Sequence, residues 1–273
     1  MAKVSRYQSK SMRKDGKIDW SNSEDAIWSE LLTRQMDIIE GKACNEYLNG
    51  LERLALPTDR APQLDEISRV LQDTTGWQCE PVAALIDFDT FFDLLSRKRF
   101  PVATFLRRQE DFDYLQEPDF FHEVFGHCAM LTHPAFAAFT EQYGKLGKSA
   151  SKEERRYLAR LYWFTVEFGL MNSKEQGQRI YGGGILSSPK ETEYAFFSDE
   201  PNRKPFNIVE VLRTPYRIDI LQTVYFVIDD IDQLLEIARE DIPACIAEAK
   251  SLGMLEPTFT LKEEKSMIKE SEA

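Results

Sequence analysis

The chain has 273 residues, 42% hydrophobic and 12% aromatic, enough for one sizeable buried core. A formal net charge of −12 and a pI near 4.9 argue against the basic face that nucleic-acid binding needs, and no apolar run approaches the roughly 18 residues of a membrane span. Four scattered cysteines, Cys44, Cys79, Cys128 and Cys245, form no Cys-x-x-Cys pair and suit reduced thiols in a cytoplasm rather than a disulfide framework.

In chain order, Met1 to Lys17 is basic and polar without an apolar stretch, so residues 1–19 are expected to be a flexible lead-in and not a secretory signal. Ser23 to Trp28 opens a long amphipathic helix running through Ile39, and helical periodicity recurs over 43–54, 64–76, 88–97, 117–129, 134–145 and 152–172. Pro101 to Leu106 reads as a short strand leading to Arg107 and Arg108. Further strand pieces are expected at Tyr216–Asp219 and Thr223–Ile228, followed by helices from Asp232 to about Arg239 and from Ile242 to Leu252. The charged tail, 262–273, is expected to fray, leaving one body over 20–261. The pattern is mainly α with short β strands, an α+β chain without internal repeats.

The chemistry-bearing pattern is His122 and His127, five residues apart, with a lone acid, Glu167, on a separate apolar-periodic segment. Two imidazoles and one carboxylate can hold one metal ion and leave other positions open. A zinc protease motif places its second histidine four residues after the first, on the same helix face. Five residues would set the imidazoles about 140° apart on a straight helix. Gly126, directly before His127, supplies latitude for the helix to unwind or bulge. Asp119 after Pro118 is a candidate N-cap, which puts His122 in the first turn. Read alone, the two histidines have half-buried packing as the lesser alternative, and Glu167 could pair with Arg155, Arg156, Arg160 or Lys174. Cys128 reads as packing beside the second histidine, and His133 before Pro134 as a helix-start residue without a catalytic role.

The run Pro118 to His127, the run Tyr162 to Leu170, and Tyr181-Gly182-Gly183-Gly184-Ile185-Leu186-Ser187-Ser188 together resemble the pterin-dependent aromatic amino acid hydroxylases. Ala43 to Tyr47, Ala61 to Leu64 and Glu80 to Ala83 follow the family's order, so the resemblance covers about residues 20 to 240. It implies a single catalytic domain of that type, with Fe(II) held by His122, His127 and Glu167. It further implies a tetrahydropterin, tetrahydrobiopterin or a bacterial relative, bordered by Val82, Ile86, Phe91 and Glu123. The implied reaction hydroxylates L-phenylalanine to L-tyrosine with O₂, with Arg107 clamping the substrate carboxylate and Arg108 as the alternative one residue on. Trp163, Phe168 and Ser187 match substrate-side positions, and Glu123 and Tyr162 catalytic ones. Asp87 and Phe88 replace small serines of animal relatives, and Leu115 a threonine. The glycine run lacks the Gly-Lys-Ser/Thr ending of a phosphate loop. Alternatives are tryptophan or tyrosine hydroxylation, a zinc metallohydrolase, or a metal-binding scaffold without turnover. A cytoplasmic monomer or weak homodimer is expected, with no nucleic-acid or membrane partner.

Overall fold

The computed structural model describes residues 6–113, 115 and 117–260, so the charged tail from 262 lies outside the described residues. The first helix, α1 (Asn22–Ile39), starts at a capping box in which Ser21 and Glu24 satisfy each other's backbone amides. It is followed by α2 (Asn45–Leu54), α3 (Leu64–Thr75), β1 (Gln78–Val82), α4 (Phe88–Ser96) and β2 (Arg99–Ala103). A π-helical turn, His122–Cys128, runs into the short α5 (Ala129–Leu131), and α6 (Pro134–Ser149) follows. Next, α7 (Lys152–Tyr162) ends in a second π-helical turn, Trp163–Glu167. The remainder alternates: β3 (Leu170–Ser173), β4 (Gly177–Ile180), α8 (Gly183–Leu186), α9 (Pro189–Phe197), β5 (Asn202–Pro205), α10 (Ile208–Arg213), β6 (Val224–Ile228), α11 (Gln233–Arg239) and α12 (Ile242–Leu252).

The fold is mainly helical with short strands. β1 and β2 form a parallel pair, and a four-stranded sheet has the order β4-β3-β6-β5, antiparallel only between β3 and β4. No helix among the described residues is long and apolar enough to cross a membrane.

Three features of the core position the two histidines. Trp28 of α1 is fully buried, edge-on to Phe120 and Phe121 at 5.8 and 5.7 Å, bracing the residues just before His122. On α2, the Tyr47 hydroxyl donates to the Phe125 carbonyl at 2.6 Å, capping an acceptor inside the π-helical turn. Gly50, also on α2, allows the close approach: a Cβ there would stand 2.1 Å from the Ala129 carbonyl oxygen. The same device recurs where Gly147 of α6 meets the Phe92 ring of α4, at 1.9 Å from a would-be Cβ.

Several expectations are corrected. The helix expected over 152–172 stops at Glu167, and 170–173 is strand β3. Gly169 explains the break, because a Cβ there would lie 2.1 Å from the Tyr181 ring, while Leu170 and Met171 are apolar enough to read as helix or buried strand. Tyr216–Asp219 is not a strand: Tyr216 stacks on Trp163, and Arg217 pairs with Asp219. The strand expected to reach Leu106 ends at Ala103. The helix expected from 117 begins only at Phe120, beyond Asp119. Residues 6–19, expected as a flexible lead-in, are tied down. Tyr7 stacks on Phe105 at 4.8 Å, the Lys10 amide donates to the Thr104 carbonyl at 2.8 Å, and Ile18 is buried.

Because Gly50 lies directly against Ala129, Gly50→Ala is expected to destabilise the protein by about 1–3 kcal/mol through overpacking. Urea denaturation would measure it, and an unchanged midpoint would mean that α2 does not pack on α5 as described.

Candidate active site

The site begins at Asp119, a fully buried carboxylate. Its Oδ1 accepts the His122 amide at 3.0 Å, so it caps the turn that carries the first histidine, as Pro118-Asp119 leads one to expect. The same carboxylate receives the Arg107 guanidinium in a fork, Nε to Oδ2 at 2.9 Å and Nη2 to Oδ1 at 2.8 Å, and the Arg107 amide at 3.0 Å. Burial pushes the Asp119 carboxyl up, but Arg107 and the amide donors outweigh it and hold it below the ordinary range.

From that cap the chain turns as a π-helix. An i→i+5 bonded turn stacks residues five apart over one another, which the 140° offset of an α-helix forbids. The Nε2 atoms of His122 and His127 accordingly approach to 3.1 Å with the rings at 81°. Gly126 lies inside the π-helical turn, where the chain bulges as expected, and has a packing role as well. A Cβ on it would lie 2.8 Å from the Gly183 carbonyl oxygen, so its bare backbone lets the turn press on α8. The glycine run returns the contact. A Cβ on Gly183 would lie 2.5 Å from the His127 ring, one on Gly182 2.5 Å from the Glu167 carbonyl oxygen, and one on Gly184 3.0 Å from the Glu167 carboxylate.

The second π-helical turn presents Glu167. Its Oε1 stands 3.4 Å from His127 Nε2 and its Oε2 3.6 Å from His122 Nε2, not beside the arginines or Lys174 that could have paired it. Three donors each about 2.1 Å from one centre and at right angles to one another stand about 3 Å apart, so the trio fits a single metal ion. Burial raises the Glu167 carboxyl, yet the two imidazoles outweigh burial and keep it below the ordinary range. Burial, ahead of the opposing pull of Glu167, holds His122 down to about 4, neutral and available as a ligand. The Ser187 hydroxyl donates to the Gly183 carbonyl at 2.8 Å and so accepts from His122 Nδ1 at 2.8 Å, which leaves the His122 Nε2 lone pair facing Glu167. Ser187 was expected at a substrate carboxylate, and here it also orients a candidate ligand.

Glu123 lies in the same cluster, with a ligand atom within 4.8 Å of those of both histidines. Burial first, then the nearby Glu167, lifts its carboxyl well above the ordinary range, which suits a protonated donor better than an ionised ligand. Tyr162 is raised well above its usual range by burial and then by Glu167 and Glu123. It meets Phe91 edge-on at 5.4 Å.

His122 and Glu167 open onto a cavity of about 290 Å³ whose wall includes Arg107, Trp163, Phe168, Ser187 and Leu115. The four expected substrate-side residues therefore meet at the candidate metal centre. Arg107 is only 6% exposed, whereas Arg108 faces Tyr7 on another surface, so the cavity takes the first arginine and not its alternative. Trp163 is clamped between Tyr216 and Phe168, each at 4.4 Å between ring centres. Its Nε1 donates to Gln222 Oε1 at 2.9 Å. The Gln222 backbone N–H donates to Glu191 Oε1 at 3.0 Å, and the Tyr225 hydroxyl binds the same carboxylate oxygen. Glu191, buried on the cavity wall, was not found from the sequence; an acid three residues into α9 reads as an ordinary first-turn helix acid.

Val82 ends β1 and Ile86 lies between β1 and α4, both half-buried, and with Phe91 they stay off the Arg107 cavity. His133 caps α6 by accepting the Ala135 amide, and Cys128 Sγ lies 3.9 Å from Cys79 Sγ as a free thiol, so neither is a ligand.

The profile of the family described as biopterin-dependent aromatic amino acid hydroxylase matches residues 3–243. A phenylalanine-4-hydroxylase of Vibrio cholerae is 61% identical over 262 residues, 96% of this chain and 90% of that protein. The structure of the apo, cold-active phenylalanine hydroxylase from Colwellia psychrerythraea superposes with a TM-score of 0.92 at 56% identity, covering 94% of this chain and 99% of that one. The Chromobacterium violaceum phenylalanine hydroxylase with bound oxidised Fe(III) superposes at 0.85 with 40% identity, covering 92% and 93%. With the profile spanning most of its length, and relatives of this identity covering nearly all of it, the chain belongs to the biopterin-dependent aromatic amino acid hydroxylases.

Proposed function

We propose that this chain is an iron- and tetrahydropterin-dependent monooxygenase that hydroxylates L-phenylalanine to L-tyrosine with O₂. The observation that carries the reading is the meeting of His122 Nε2, His127 Nε2 and Glu167, 3.1 to 3.6 Å apart, at a cavity that also contains a buried arginine and two aromatic rings. When bound, iron and the reduced pterin supply activated oxygen and its electrons for ring hydroxylation.

The protein's residues have separable tasks. His122, His127 and Glu167 hold the metal and leave its other positions open. Arg107 spends Nε and Nη2 on Asp119, which fixes the guanidinium plane and leaves Nη1 to receive the substrate carboxylate. Trp163 and Phe168 border the substrate ring, with Trp163 held by Gln222 and Glu191. Phe91 offers the pterin a stacking ring and Glu123 a carboxyl whose pKa is raised, with Val82 and Ile86 beside them, and Tyr162, edge-on to Phe91, is a catalytic tyrosine. The half-buried rings of Trp163 and Phe168 limit water at the oxidising centre. A cytoplasmic setting is supported by thiols that remain free. A zinc hydrolase finds no support in a chain of this family, and its motif needs a four-residue histidine spacing.

The decisive assay supplies metal-stripped protein with Fe(II) or Zn(II), tetrahydropterin, air and equal amounts of phenylalanine, tyrosine and tryptophan. Tyrosine is expected to form from phenylalanine only with iron and pterin; one bound metal per chain without hydroxylated product would sink the reading. His127→Ala and Glu167→Ala are each expected to abolish turnover.

Ser187→Ala frees the His122 ring, and iron affinity is expected to fall about 10–100-fold, read by competition with a chelator.

Acid should weaken the centre. His122 titrates at about 4 in the fold against 6.5 unfolded, so the unfolded chain binds the extra proton between those values. The contribution of neutral His122 to apoprotein stability is therefore complete above pH 6.5 and lost as pH falls toward 4. Thermal melts of the His122→Gln apoprotein are expected to have a shallower pH slope over that window than the parent's.

A further inference from the structure

The cavity at the candidate metal centre has one chemically vulnerable wall. Among the described residues that line it there is no methionine, cysteine or tyrosine, so Trp163 is, apart from the ligand His122, its one readily oxidised side chain. Trp163 also opens the π-helical turn that presents Glu167, which ties its ring to the same turn as a candidate ligand. An oxidant generated there while no substrate ring fills the space therefore meets Trp163 first.

Behind Trp163 lies a second oxidisable ring. Tyr216 stacks on it face to face, 4.4 Å between ring centres and 19° between planes, and the Trp163 Nε1 bond to Gln222 at 2.9 Å holds the planes in register. Phe168, on the same tryptophan, is a ring that resists oxidation. Tyr216 is half-buried and lines a different opening, the groove between the start of α4 and α7, where Arg160 is also on the wall. Its hydroxyl has no hydrogen-bond partner among the described residues. Burial raises the Tyr216 hydroxyl first, Arg160 opposes the rise and Glu167 adds to it, so the ring lies within electrostatic reach of an outer cation and of a candidate metal ligand. The two rings thus bridge the cavity and the outer groove. The other aromatic pair near the centre ends inside the core: Tyr162 meets Tyr143 at 5.1 Å, but Tyr143 is 2% exposed and its hydroxyl donates to the Leu158 carbonyl at 3.2 Å.

We propose that the Trp163–Tyr216 stack is a protective electron path, which carries oxidising equivalents from the unfilled cavity to the outer groove, where a small hydrogen-atom donor such as ascorbate quenches them. The inference rests on the reading of the site as an iron monooxygenase. In each passage Trp163 gives one electron to the centre. Tyr216 then gives one electron to the Trp163 ring and its hydroxyl proton to water in the groove, and the donor returns a hydrogen atom to the tyrosyl oxygen. Two passages discharge a two-electron oxidant: its oxygen leaves as water with the two protons released, ascorbate becomes dehydroascorbate, and both rings end unchanged.

The test mixes iron-loaded protein, without phenylalanine or pterin, with hydrogen peroxide, and reads organic radicals by freeze-quench electron paramagnetic resonance and added oxygen at Trp163 by peptide mass spectrometry. The parent is expected to give a tyrosyl signal that ascorbate removes, with Trp163 largely intact. Tyr216→Phe, its folding checked by a melting curve, should lose that signal and accumulate oxygenated Trp163 whether or not ascorbate is present. Tyr143→Phe should keep the signal. A tyrosyl signal that survives Tyr216→Phe, or equal oxidation of Trp163 in parent and variant, would overturn the inference, as would a parent that shows neither radical nor oxidised tryptophan. Phenylalanine hydroxylation by the same iron-loaded preparation, assayed in parallel with pterin and O₂, separates the two failures: tyrosine formed there leaves the function standing while the electron path falls.

Discussion

Everything at the centre depends on one constraint: two histidines five residues apart must aim their Nε2 atoms at one point. An α-helix cannot do this, and a π-helical turn can. The wider turn is held open from outside. Asp119 caps its first amides, Tyr47 takes up the Phe125 carbonyl, and Gly126 lets it seat on α8 without a side chain between. A distorted helix that would be a defect elsewhere is here stabilised on three sides, in keeping with the tendency of π turns to mark functional sites.

The glycine run completes the seat. Gly182, Gly183 and Gly184 lie so close to Glu167 and His127 that a methyl group on any of them would crowd the trio. Their use is close packing, not phosphate binding. Helix α1 ties the two halves together: Trp28 braces the residues before His122, and Gln35 donates to the Leu186 carbonyl and to Thr192 behind the glycine run.

Electrostatics then divides the acids. Asp119, fully buried, and Glu167, half-buried, are both held below their ordinary range, by a guanidinium and by two imidazoles respectively. Glu123, lacking such a partner, is driven the other way. Three carboxyls in one small region are therefore shifted in different directions because their neighbours differ, which suits one to a structural task, one to the candidate metal site and one to holding a proton.

The residue pattern by itself determined the helical character of the chain, the metal-binding residue types and the impossibility of a straight helix between the two histidines, because these follow from periodicity, ligand chemistry and geometry along one segment. Resemblance supplied roles for Arg107, Trp163, Phe168 and Ser187, all of which line the cavity. Periodicity misread 170–172 as helix, since a short apolar run has no helix-or-strand signature of its own. It also left Glu191 unnoticed, since only packing brings that acid beside Gln222 and Tyr225. Tertiary structure alone set Glu167 beside the two histidines and not beside Arg155, Arg156, Arg160 or Lys174, joined Arg107 to Asp119 and turned Ser187 toward His122. Those choices depend on which segments distant in sequence lie within hydrogen-bond reach, and no local pattern encodes that distance.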